Sequence, residues 1–235
     1  MSLAWNCEGA RGLALALASE TVLLRPSGAL WLAARGALVV ADLHLEKGSA
    51  FARGGQMLPP YDSDDTLARL EAEAAATGVQ TLVFLGDSFH DRRGETRLLS
   101  SARQRLLALG AGRELVWVLG NHDPDLSEAL GGSRVTVWRA GALAFTHAPA
   151  ADDEEGAVAG HLHPCAKVSR AGGAVRRRCF VTDGRRLILP AFGAYAGGLN
   201  VRDPAFAPLL GRSRLAAVLG EGRVHPISWR SLGND

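Results

Sequence analysis

Short apolar runs alternate with longer stretches of helical period through the first half of the chain. Ala37–Ala41 (ALVVA) has no polar face, which predicts a strand covered on both sides. Asp62–Thr77 predicts a helix: acidic residues crowd its first turn, Leu67, Leu70 and Ala74 recur on one face, and Gly78 closes it. Val79–Leu85 (VQTLVFL) predicts a second buried strand. Thr96–Ala108 predicts a second helix with Leu98, Leu99, Ala102, Leu106 and Leu107 inward, and Glu114–Leu119 (ELVWVL) a third strand. Strand, helix, strand, helix, strand is the signature of a βαβ sheet covered by helices.

From Arg134 onward the helical period fades. Val135–Trp138, Leu143–Thr146, Ala157–Ala159, Arg177–Thr182 and Leu187–Leu189 read as strands joined by tight turns. No linker composition separates the halves, so the pattern predicts one α/β domain over residues 1–235 with two facing sheets. Near the start, Gly12–Ala18 (GLALALA) after Arg11 has the length of a minimal secretion-signal core, with Ala16-Leu17-Ala18 resembling a cleavage site. Ser19 and Glu20 interrupt it and Val22-Leu23-Leu24 resumes, which fits a hairpin better. No run approaches the roughly 18 apolar residues of a membrane span. The expectation is a cytoplasmic protein without membrane association.

Composition narrows the class. Of 235 residues, 47% are hydrophobic and 21% charged, which excludes a mainly disordered chain. Lys and Arg total 26 against 24 acidic residues, so net charge does not mark a nucleic-acid binder. The three cysteines, Cys7, Cys165 and Cys179, lack CxxC spacing, which argues against a disulfide framework or a thiolate zinc site.

Chemistry enters at the strand ends. Asp42-Leu43-His44 follows ALVVA, Gly86-Asp87 follows TLVFL with His90 and Asp91 beyond, and Gly120-Asn121-His122-Asp123 follows LVWVL. His147 follows LAFT, and Gly160-His161-Leu162-His163 follows AVA. Loops at the carboxyl ends of open α/β strands converge on one crevice. They would gather Asp42, His44, Asp87, Asn121, His122, His147, His161 and His163. Singly, each motif is what an ordinary turn can carry; the ordered set, each after its own strand, is not. Mixed imidazole and carboxylate donors suit manganese, iron or zinc rather than calcium or magnesium. Eight groups exceed one four-coordinate ion and fit two divalent ions about 3.5–4 Å apart with a bridging carboxylate. Glycines at 86, 120 and 160 would permit close backbone approach.

The series DLH, GD, GNHD, H and GHLH resembles the calcineurin-like metallophosphoesterase superfamily. The resemblance implies a four-layer αββα sandwich, two mixed β-sheets flanked by helices, with a dinuclear centre. It implies one ion on Asp42, His44, Asp87 and His163, and another on Asp87, Asn121, His147 and His161. His122 would contact the phosphate or leaving oxygen, held by Asp123. More narrowly, residues 41–62, 85–91, 160–164, 176–201 and 203–209 look like the ligase-associated metallophosphoesterases, bacterial DNA-damage-response endonucleases. Their genes accompany an ATP-dependent DNA ligase, a DEXH helicase and an exonuclease. The resemblance implies a DNA phosphodiesterase or nuclease in repair. Manganese is the first ion to supply, since affinity order alone does not decide selectivity.

The residues themselves leave the substrate open. Arg92-Arg93, Lys167 with Arg170, Arg176–Arg178 and Arg185-Arg186 are either phosphate contacts or an arginine-rich surface. On a strand, Arg176 and Arg178 would share one face. In the segment Glu46–Tyr61, Lys47, Arg53 and Gln56 either rim the cleft or belong to a connection stiffened by Pro59-Pro60. His90 and Arg178 are further candidate substrate contacts. Phe192 and Tyr195 could stack a base, but packing beside Gly197-Gly198 is the better fit. Asp152–Glu155 reads as a solvated loop, and His225 as a residue outside the chemistry. Two rival functions remain: a small-molecule phosphodiesterase acting on cyclic nucleotides, and a catalytically silent scaffold. The complete ligand set argues against the scaffold.

Overall fold

A computed structural model of the chain describes residues 5–6, 12–170 and 172–235. Among these, the first sheet has eight strands in chain order: β1 (Trp5–Asn6), β2 (Leu13–Leu17), β3 (Glu20–Leu24), β4 (Leu30–Leu32), β5 (Ala37–Ala41), β6 (Thr81–Leu85), β7 (Glu114–Val118) and β8 (Ser133–Val135). Pairing is antiparallel from β1 to β5 and parallel from β5 to β8. The GLALALA segment is β2, hairpinned to β3.

The second sheet comprises β9 (Val137–Ala140), β10 (Leu143–Thr146), β11 (Ala157–Ala159), β12 (Pro164–Arg170), β13 (Gly173–Thr182), β14 (Leu187–Ile188), β15 (Leu199–Asn200), β16 (Leu215–Leu219), β17 (Val224–Ser228) and β18 (Leu232–Gly233). Its order is β15-β12-β13-β14-β11-β10-β9, with β16 and then β17 added on β13, and β18 on β12. The run read as one strand at Val135–Trp138 is therefore split: β8 ends the first sheet and β9 begins the second.

Side-chain alternation explains why β5, β6 and β7 lack a polar face. Val39, Val83, Leu85, Val116 and Val118 meet Leu143, Phe145, Val158 and Phe180 of the second sheet. Their alternates Leu38, Val40, Leu82, Phe84 and Trp117 face the helices. Those are α1 (Lys47–Arg53), α2 (Asp62–Thr77), α3 (Gly94–Arg97) and α4 (Ser100–Gly110).

Two expectations change in detail. The helix read at Thr96–Ala108 is broken between α3 and α4, where Leu98 and Leu99 turn extended (ψ 122° and 146°). The break rotates the second piece, so Leu98, Ala102, Leu106 and Leu109 are buried while Leu99 and Leu107 are exposed. The αββα sandwich also has a thin fourth layer. Val201, Phe206 and Leu210, around a 3-10 turn at Pro204–Phe206 capped by Asp203, cover the outer face of the second sheet. Among the described residues no helix is long and apolar enough to cross a membrane. Cys165 and Cys179 are buried free thiols; Cys7 lies outside the described residues.

Candidate metal centre

The parallel hydrogen bonding of β5 and β6 runs on past the strands: Asp42 N–H donates to Gly86 O at 3.2 Å and His44 N–H to Asp87 O at 2.9 Å. In the second sheet, Gly160 N–H donates to His147 O at 2.9 Å. Five loops at the carboxyl ends of β5, β6, β7, β10 and β11 thereby meet at one edge of the sandwich.

The backbone there is strained. Asp42, His44, Glu46, Asp87, His161 and His163 all have positive φ, from 42° to 69°, a region costly for residues with a Cβ. Ala18 is the one such non-glycine elsewhere among the described residues. Three glycines are required by contact. A Cβ on Gly86 would overlap the His147 ring, one on Gly120 the Asp87 carboxylate, and one on Gly160 would lie 2.5 Å from Asp42 Oδ2.

Asp42, His44 and His163 form one convergent group, and Asp87, His147 and His161 a second. His44 Nε2 lies 3.1 Å from His163 Nε2, and His161 Nδ1 lies 3.0 Å from His147 Nε2. Asp42 Oδ1 is 3.6 Å from both His147 Nδ1 and His163 Nε2, and Asp87 Oδ2 is 3.4 Å from His147 Nε2 and 4.0 Å from His44 Nε2. Asn121 Oδ1 sits 2.8 Å from His147 Nε2. The set divides by sheet: Asp42, His44, Asp87 and Asn121 come from the first, His147, His161 and His163 from the second.

The donor set fits divalent cations. Asp42 and Asp87 are 0% and 2% exposed, and among the described residues neither has a Lys or Arg within 4.0 Å. Two buried carboxylates without cationic partners are unfavourable unless positive charge is supplied. Asp42 Oδ1 and His147 Nδ1 are also buried without a hydrogen-bond partner. Burial, then the neighbouring His163, His122, His90 and Lys47, pushes the His44 imidazolium down to about 2, which keeps its lone pair free for coordination. Burial likewise lowers His147 against the pull of Asp42 and Asp87.

His122 stands at the mouth of the first group. Its backbone N–H donates to Asp87 Oδ1 at 2.9 Å, and Nε2 lies 3.9 Å from Asp87 Oδ2. Its Nδ1 meets the His90 carbonyl oxygen at 2.7 Å, so the expected support by Asp123 is corrected. The chain turns Asp123 inward, where Oδ2 accepts the Phe89 N–H at 3.0 Å, and burial pushes its carboxyl up to about 7. The His90 ring stacks on His122 with centroids 5.8 Å apart.

Of the outer candidates, Lys47 lies on α1 with Nζ over the Phe51 ring, and burial lowers its ammonium. Arg53 is exposed at the C-terminal end of α1. Arg178 is corrected from a substrate contact to a brace. Its guanidinium donates to the carbonyls of Ala191, Ala194 and Ala196 at 3.0–3.1 Å. The segment it holds backs the ligand loops: Phe192 N–H donates to Ala41 O at 2.7 Å, and a Cβ on Gly193 would overlap Leu43 O. Phe192 is buried in the core, and Arg69 lies over its ring. Asp152, Glu154 and Glu155 are exposed, as is His225 on β17.

One buried network escaped the sequence. Asp62 Oδ2 accepts the Gly48 N–H at 2.9 Å, and Ser63 Oγ joins the Glu46 backbone and carboxylate, pinning α1 to α2. An acidic residue followed by serine ahead of a helix reads as an ordinary first turn, so only the glycine two residues after Glu46 hinted at the close approach.

A profile of the Calcineurin-like phosphoesterase family matches residues 37–187, which contain every ligand loop. The crystal structure of Pseudomonas putida nuclease MPE is similar at 25% sequence identity and TM-score 0.69, covering 92% of this chain and 100% of that one. Comparison with curated proteins returned no match.

Proposed function

This chain belongs to the calcineurin-like phosphoesterase family, and from that premise we propose that it is a two-metal phosphodiesterase that cuts DNA. The observation that carries the reading is the pair of unneutralised buried carboxylates, Asp42 and Asp87, ringed by imidazoles. Similarity to a nuclease over 92% of the chain supports a nucleic-acid substrate. The core shared by both sheets supports reading residues 1–235 as one unit.

Asp42, His44, Asp87 and His163 would hold one cation, and Asp87, Asn121, His147 and His161 the other. When bound, such a pair polarises phosphoryl oxygens and lowers the pKa of a water near phosphorus. The chain supplies the rest. The Asp87 side chain seats the His122 loop. The His90 carbonyl takes the Nδ1–H of His122, which leaves Nε2 as the nitrogen facing the site. Water attacks phosphorus in line and releases its proton to solvent, the P–O bond to the leaving group breaks, and His122, when it carries a proton on both ring nitrogens, delivers the one on Nε2 to the departing oxygen. No covalent protein intermediate is required.

Manganese is the ion we would supply first, and the mixed nitrogen and oxygen donors suit iron and zinc as well. The resemblance of residues 41–62 and 176–201 to ligase-associated phosphoesterases supports a role in repair alongside a DNA ligase, a DEXH helicase and an exonuclease. The deciding experiment supplies Mn²⁺ and compares single-stranded DNA with cyclic nucleotides. Cleavage of the DNA is expected; turnover of a cyclic nucleotide with the DNA left intact sinks the nuclease reading.

A further inference from the structure

Beyond His90, on the side of α1, lies a cleft of about 360 Å³ lined by Ala50, Arg53, Asp91, Arg92, Arg93 and Arg97. Four guanidinium groups therefore face a single carboxylate. That carboxylate is already spent: Arg97 grips Asp91 with both terminal nitrogens, at 2.9 and 2.7 Å, and anchors to Ser49 Oγ of α1 at 2.9 Å. The hydrogen bonds from Arg97 hold the Asp91 carboxyl below its usual range. Arg92 has only a loose contact to the exposed Asp125, at 3.6 Å. Among the described residues Arg53 and Arg93 make no ion pair, and both are exposed. The cleft thus carries surplus positive charge on two rigid walls, α1 fixed by Asp62 and the Asp91–Arg97 turn fixed by its own ion pair.

Its position gives the charge a use. Phe51, next to Ala50 on the first wall, packs on His90 with ring centroids 5.7 Å apart, and His90 stacks on His122. The cleft therefore lies two packed side chains, Phe51 and His90, from the residue assigned to the leaving oxygen. A mononucleotide held at the centre has no second phosphate to place there; a strand does.

We propose that this cleft is a subsite for the phosphates of a DNA strand flanking the bond to be cut, with Arg53, Arg92 and Arg93 as the contacts. The inference rests on the nuclease reading above and assigns the residues that make a polynucleotide a better substrate than a small diester. Single strands lose about 0.7 of salt slope per phosphate contact removed.

The test compares Mn²⁺-loaded wild type with the double variant Arg92→Ala/Arg93→Ala on a single-stranded oligodeoxynucleotide and on bis(p-nitrophenyl) phosphate. The ratio of kcat/KM for the oligonucleotide to that for the small diester is expected to fall at least tenfold. The slope of log kcat/KM for the oligonucleotide against log salt should flatten by about 1.4, for two contacts. The Arg92→Lys/Arg93→Lys variant should keep most of both. A ratio within twofold of wild type, with wild type cutting the oligonucleotide, overturns the subsite and leaves the nuclease reading standing. A wild type that hydrolyses the diester and no oligonucleotide overturns the nuclease reading, and the subsite with it.

Discussion

Asp87 Oδ1 accepts the backbone N–H of His122 at 2.9 Å, while Oδ2 of the same carboxylate faces the imidazoles of both ligand groups. One side chain thus joins the cation sites to the loop bearing Asn121 and His122. Asp87→Ala is expected to retain at most one divalent ion per chain. Diester hydrolysis should fall by at least about a thousandfold, the upper range for one electrostatic stabiliser. Elemental analysis of the purified protein alongside the rate assay checks both, and two ions in the variant would refute the bridge.

His122 is proposed to move a proton without holding a cation. His122→Ala should keep wild-type metal content and lower kcat by about 10²- to 10⁴-fold, the usual share of a general acid. The loss should shrink for diesters with good leaving groups, because p-nitrophenolate departs without protonation. Equal losses on good and poor leaving groups would contradict the assignment.

Arg178 holds the carbonyls of Ala191, Ala194 and Ala196 from behind the centre. Arg178→Ala should cost about 3 kcal/mol, since hydrogen bonds to a charged group contribute roughly 1.5–3 kcal/mol. For a chain of this size Tm should drop by roughly 6–12 °C. Weaker Mn²⁺ binding in a titration, with little change in the turnover of the fully loaded protein, distinguishes a brace from a substrate contact.

Asp183 is a half-buried carboxyl held by its neighbours in the turn after β13. Burial raises its carboxyl, but the backbone N–H groups of Gly211, Arg186 and Arg185, with the Arg186 guanidinium, outweigh burial and leave it below the usual carboxylate range. A lowered folded-state pKa stabilises above the unfolded value, near 4, and the benefit disappears as pH falls through the folded one. Asp183→Asn should therefore be destabilised by about 1.5–3 kcal/mol at pH 7. Urea melts should show the gap to wild type closing below about pH 4.

Much of this molecule could be read from the chain. ALVVA, TLVFL and LVWV announce themselves because central parallel strands bury both faces, and the polar residue that ends each run is where the ladder reaches the crevice. Gly86, Gly120 and Gly160 signalled close contact, and each is pressed against a candidate ligand. Other features leave no local trace. Positive φ at Asp42, His44, Asp87, His161 and His163 is imposed by tertiary contacts, against the intrinsic preference of those residues. Leu98 and Leu99 keep the helical period while the backbone breaks between them. Asp123 follows His122 in sequence yet turns to Phe89, whose backbone N–H its Oδ2 accepts. Arg178 looks like any surface arginine until the distant segment it grips is folded against it.

The division of ligands between two sheets has a consequence for how activity first arises. Asp42, His44, Asp87 and Asn121 are all made before His147, and four donors without the remaining imidazoles leave neither site complete. On the proposed reading, a growing polypeptide therefore has no complete hydrolytic centre until His163 has been made. The centre is assembled only once the second sheet packs on the first.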